Sequence, residues 1–122
     1  MRFDKLYLQN FRCYDELELE FDKNMTVIVG ENGKGKTAIL DALAISLEPY
    51  LRAFGCKGRN MSERDVRRIK DAGGESAIRI LRMKSKYPVG IKVEGCQNGV
   101  AFTWSRELKS ERGRTTSNNA KE

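Results

Sequence analysis

The side chains best suited to chemistry stand together as Gly30-Glu31-Asn32-Gly33-Lys34-Gly35-Lys36-Thr37. This run satisfies G-x-x-x-x-G-K-[ST] at every fixed position. Gly30, Gly33 and Gly35 let the backbone curl around an oxyanion in conformations that a Cβ would resist. Successive amides then point into the concavity, and a helix starting there adds the positive end of its dipole. The Lys36 ammonium is placed to meet β- and γ-phosphates, and the Thr37 hydroxyl is suited to ligate Mg²⁺. The expected ligands are therefore ATP and Mg²⁺. Gly30, Asn32, Gly33, Lys34, Gly35, Lys36, Thr37 and Ala38 are the candidate binding positions, with Lys36 also the candidate catalytic group and Thr37 the candidate metal ligand.

A phosphate loop needs a strand before it and a helix after it. Met25-Thr26-Val27-Ile28-Val29 is a short apolar run, read as a strand buried on both faces. From Lys36 to about Leu47, Ile39, Leu40, Leu43 and Leu47 fall on one helical stripe, and Ala38, Ala42 and Ala44 favour helix. Pro49 ends or kinks it. Upstream, Phe3 to Phe11 reads as a first strand. Leu17, Leu19 and Phe21 then alternate with Glu16, Glu18, Glu20 and Asp22, which marks a strand with an acidic outer face.

Downstream, residues 52–61 form a polar connection. Ser62 caps a short helix from Glu63 to about Lys70, with Asp65 in the capping-box position, and Gly73-Gly74 stops it. Ile78 and Ile80, then Val89, Ile91 and Val93, then Val100, Phe102 and Trp104 show a period of two and read as three strands. Asn98-Gly99 signals a tight hairpin, which would place Gln97 opposite Val100 and Val93 opposite Trp104. Thr116 to Glu122 reads as the start of a helix.

Composition sets the wider bounds. The chain has 122 residues, 39% hydrophobic and 33% charged, the mix of one soluble domain. Three scattered cysteines argue against a zinc site or disulfide framework and fit a reducing cytoplasm. The sequence has no histidine, which removes the usual acid/base group at neutral pH. No apolar run approaches membrane-spanning length. Residues 1–76 carry 13 basic and 13 acidic side chains, whereas residues 77–122 carry 10 and 4, the whole of the +6 net charge. A basic second half suits either an anionic partner such as DNA or a solvated surface. Arg79, Lys84, Lys86, Lys92, Arg106, Lys109, Arg112 and Arg114 are its candidate contacts.

The motif alone leaves three readings to weigh. No Asn-Lys-x-Asp of guanine-specific GTPases is present. The loop spacing also suits a small-molecule kinase, although two strand-like segments precede it here. A non-catalytic nucleotide-sensing module is the third reading.

The first 50 residues resemble the N-terminal lobe of an SMC/RecF/SbcC-type ATPase, a DNA-acting branch of the ABC ATPases. The resemblance rests on Leu8-Gln9-Asn10-Phe11-Arg12, the alternating strand Leu17 to Phe21, the Asn32-Gly33 form of the loop, and Ala38-Ile39-Leu40-Asp41-Ala42-Leu43. It implies that Arg12 lies near the nucleotide phosphates. Lys34 stands where the family often has Ser or Ala. The later region is similar to phage-defence ATPases of the Septu and retron-associated kind, through Asn60 to Arg68, Tyr87-Pro88-Val89, Thr103 to Arg106 and Arg114-Thr115-Thr116.

Walker B, four apolar residues followed by Asp-Glu, finds no match. The signature motif has only a partial echo in Ala72-Gly73-Gly74-Glu75. The expectation is therefore an incomplete α/β domain: an ABC/SMC-like P-loop NTPase N-terminal lobe with an added antiparallel β region. Its parts are a core lobe (1–52), a connecting loop and short helix (53–76), the β region (77–108) and a polar basic tail (109–122). The resemblance implies an ATPase of DNA repair or phage defence that this chain alone does not complete. It also implies a second ATPase subunit joined through nucleotide, with DNA and a nuclease as further candidate partners.

Overall fold

The computed structural model describes residues 2–29, 34–71, 82–111 and 113–120. Strands β1 (Arg2–Phe11) and β2 (Tyr14–Glu20) form a hairpin, followed by helices α1 (Lys34–Ser46) and α2 (Glu48–Ala53). A 3-10 turn (Glu63–Asp65) precedes β3 (Arg68–Asp71), then come β4 (Arg82–Ser85), β5 (Val89–Gln97), β6 (Val100–Leu108) and β7 (Thr116–Ala120). Five strands join in one antiparallel sheet in the order β2-β1-β5-β6-β7, and β3 pairs separately with β4.

The register explains the core. Leu6 lies between Leu19 and Val93, and Leu8 between Leu17 and Ile91. Residues two apart share a face, so the apolar positions of three strands form one surface. Helix α1 lies on it through Ala38, Ile39, Ala42 and Ile45, all buried. The Trp104 indole N–H donates to the Ser46 carbonyl at 2.8 Å, fastening the end of α1 to β6. The Asn98-Gly99 turn has φ of 52° and 80°, with Gln97 opposite Val100 and Val93 opposite Trp104, as its residue types dictate. Pro49 sits in the first turn of α2, so the chain restarts a helix there after α1 has ended.

Four local expectations are corrected. Residues 25–29 form no strand, and Met25, Val27 and Val29 are 71%, 66% and 84% exposed. A strand buried on both faces needs ladder partners, and among the described residues none pairs with this segment. In α1 the buried stripe turns toward the alanines, leaving Leu40 61% exposed, because small residues let the helix approach the sheet. The Ser62/Asp65 capping box forms, its backbone amide donating to Asp65 Oδ2 at 2.9 Å, but only one turn follows. Tertiary partners take the rest of that segment: Arg67 N–H donates to Asn10 O, Lys86 N–H to Arg67 O, and β3 pairs with β4. Finally, Thr116–Ala120 is a strand rather than a helix start. Its Thr, Ser and Asn residues are weak helix formers, and β6 offers an edge to pair with. Ile78, Ile80 and the Ala72 to Glu75 echo lie outside the described residues.

Candidate functional site

Helix α1 begins at Lys34, so the last four motif positions open it. Gly30, Asn32 and Gly33 lie outside the described residues, as does the Lys34 side chain. Gly35 and Lys36 are half-buried, Thr37 is exposed and Ala38 is fully buried. This places the Thr37 hydroxyl at the accessible side of the helix start while Ala38 anchors the same turn to the core. The first turn of the helix carries no acidic side chain to oppose an anion. A 13-residue helix with two lysines in its opening turn fits a phosphate group and its Mg²⁺.

The turn between β1 and β2 lies against this helix. Arg12 takes a left-handed φ of 52°, which costs on the order of 1–2 kcal/mol for a residue with a Cβ. Its backbone N–H donates to the Asp65 carbonyl at 2.8 Å. Its guanidinium donates through Nε and Nη2 to Asp65 Oδ1 at 3.0 and 2.8 Å, and Nη1 lies 2.6 Å from Asp41 Oδ2. Arg59 meets the other oxygen of Asp41 at 3.1 Å and Asp65 Oδ1 at 3.6 Å. Two arginines and two carboxylates thus alternate in a neutral cluster, with Asp65 fully buried.

Burial works against charge on Arg12, but hydrogen bonds to Asp65 and Asp41 outweigh it and raise its pKa. Burial likewise opposes the Asp41 carboxylate, and Arg12 and then Arg59 hold its pKa below the ordinary range. Asp41 stands one helical turn beyond Thr37, so the cluster ties the site helix to the turn carrying Arg12. The sequence marked Arg12. It gave no sign of Asp41, Arg59 and Asp65 as its neighbours, because Asp65 is 53 residues away and the contact depends on the packed loop.

A second arginine departs from expectation. Arg106, a candidate contact of the basic half, is 1% exposed and therefore unable to meet a DNA backbone. It donates through Nη1 to the carbonyls of Ile45 and Arg59 at 2.8 and 2.9 Å, through Nη2 to Asn60 Oδ1 at 2.6 Å, and through Nε to Ser117 Oγ at 3.1 Å. Glu48 Oε2 completes an ion pair at 3.3 Å. This arginine stitches the end of α1, the 59–60 loop, β6 and β7 together, and the carbonyl of the loop's own Arg59 is among its acceptors.

The fold is mixed α/β, with mostly antiparallel strands around a helix that opens on the phosphate-loop residues: a partial P-loop ATPase lobe. Residues 5–122 match the AAA domain family AAA_23. The chain belongs to this family and is an N-terminal lobe of the SMC/RecF/SbcC type. It is 31% identical over 93 residues to the DNA replication and repair protein RecF of Oceanobacillus iheyensis, covering 76% of this chain and 24% of that protein. It is 29% identical over 89 residues to the DNA double-strand break repair Rad50 ATPase of Thermococcus kodakarensis, covering 73% of this chain and 10% of that protein. The Structural maintenance of chromosomes protein 6A of Arabidopsis thaliana is 44% identical over 55 residues, covering 45% and 4%. The chain therefore spans about a quarter of the length of the RecF relatives it matches. No helix among the described residues is long and apolar enough to cross a membrane.

Proposed function

We propose that this chain is the ATP-binding lobe of a DNA-associated ABC/SMC-type ATPase of DNA repair. The observation that carries the reading is the complete phosphate-loop motif opening helix α1. In this reading the amides from Gly30 to Ala38 cradle the phosphates, with Asn32, Gly33 and Gly35 shaping the loop. Lys34 and Lys36 supply positive charge, Lys36 at the β- and γ-phosphates, and Thr37 holds Mg²⁺. Arg12 lies beside the same helix with its guanidinium held by Asp41 and Asp65, and would reach a phosphate only by exchanging one of them; when bound the nucleotide joins this lobe to a second ATPase subunit. The names of the RecF and Rad50 relatives support repair as the pathway. The phage-defence alternative rests on the short phrases between Asn60 and Thr116 alone. Family membership favours this class over the small-molecule kinase.

The test is Lys36→Ala titrated with Mg-ATP by calorimetry beside the parent chain, with circular dichroism to check folding. Affinity is expected to fall at least tenfold, about 1.4 kcal/mol. Equal affinities in two folded proteins would reject the reading.

A further inference from the structure

The Tyr14 hydroxyl lies against the first turn of α1. A Cβ built on Gly35 would stand 2.7 Å from Tyr14 Oη, 3.6 Å from Tyr14 Cζ and 4.0 Å from Cys13 Sγ. The first distance is shorter than real Cβ contacts, whereas the other two are ordinary van der Waals separations. A single oxygen atom therefore occupies the space that a side chain at position 35 would need.

Tyr14 is not a loose surface ring. It packs against the buried cluster, and it starts β2 opposite Phe11. The turn before it is pinned from outside: Arg67 Nη1 donates to the Cys13 carbonyl at 2.5 Å, and Arg12 N–H donates to Asp65 O. The same turn meets α1 twice, through Tyr14 at Gly35 and through Arg12 at Asp41. Two contacts six residues apart on one helix fix both its position and its tilt.

From this two-point seat we infer that Tyr14 is a positioning residue of the phosphate site, its hydroxyl setting where the first turn of α1 presents Lys36 and Thr37. The inference rests on the ATP-binding reading above. Gly35 is helical and has no positive φ, so the duty it gains here is to leave room for the tyrosine oxygen rather than to curl the backbone.

The experiment is a double-variant cycle on the whole chain, read as Mg-ATP affinity by calorimetry, with thermal melts alongside. Gly35→Ala is expected to weaken binding about tenfold or more, and Tyr14→Phe alone about threefold or less. With the oxygen removed, the methyl group introduced by Gly35→Ala keeps only the ordinary 3.6 Å contact with the ring. Tyr14→Phe placed on Gly35→Ala should therefore recover most of the lost affinity. Losses that simply add would overturn the inference. Should Gly35→Ala fail to fold, refolding by the added Tyr14→Phe supports the contact. Should both fail, Tyr14→Leu decides: a loss of roughly tenfold in affinity with an unchanged melting temperature supports positioning, and unchanged affinity overturns it. A parent chain that binds no Mg-ATP would instead sink the ATP reading itself.

Discussion

Arg106 shows how far a residue's role departs from its type. A charged side chain with almost no solvent access is tolerated only when its donors are met, and four of its contacts are protein oxygens on three separate segments. Burial lowers its pKa, with Glu48 opposing that effect. Arg106→Ala removes the partner of two carbonyls and of Glu48 Oε2, leaving Glu48 only its pair with Arg52, and is expected to destabilise the fold by about 3–5 kcal/mol. Urea denaturation of the folded variant measures this, and a loss below about 1 kcal/mol would show that the clamp is dispensable. Arg106→Lys should recover little, because one ammonium lacks the planar fork that reaches three segments at once.

At the scale of elements, the question is what holds α1 against the sheet. Ala38 and Ala42 allow close approach, and the Arg12–Asp41–Arg59–Asp65 cluster adds polar ties at the middle of the helix, through Asp41. The Asp41 pKa is lowered in the folded chain, so folding is favoured by its charged form. That stabilisation is complete above the ordinary aspartate value of about 3.9 and is lost as pH falls through the lowered folded value. Denaturation midpoints followed from about pH 6 to pH 3 should fall less steeply in Asp41→Asn than in the parent chain. Parallel profiles would mean that Asp41 contributes nothing to acid sensitivity.

Across the whole molecule, the charge split along the sequence survives folding only in part. Arg106 is withdrawn into the interior, Arg79 and Arg112 lie outside the described residues, and Lys84, Lys109 and Arg114 are exposed. The outer face of β2 shows Glu16, Glu18 and Glu20 to solvent, which disfavours a polyanion there. DNA contact, where the proposed function requires it, then falls to the remaining exposed cations and goes through phosphates. Binding should be weak and indifferent to sequence. Lys109→Ala with Arg114→Ala should reduce the log–log salt slope on duplex DNA by about one to two units. Fluorescence anisotropy at several salt concentrations reads the slope, and an unchanged slope would remove both residues from the interface.

The sequence by itself determined the phosphate-loop motif, the helix after it, the β1–β2 alternation and the Asn98-Gly99 hairpin with its register. These follow from neighbours within a few residues, where spacing and backbone preference suffice. Only the tertiary structure decided that β1 lies between β2 and β5, which joins the first strand to one nearly 90 residues later. It also decided that residues 66–71 leave the helix their capping box begins, that Thr116–Ala120 extends the sheet, and that Arg106 is buried. Each outcome depends on a distant partner that local propensity does not encode: a vacant strand edge, a carbonyl in another loop, a carboxylate on α2. The seat of Tyr14 on Gly35 belongs to the same class, since a glycine's empty side receives meaning only from what the fold brings against it.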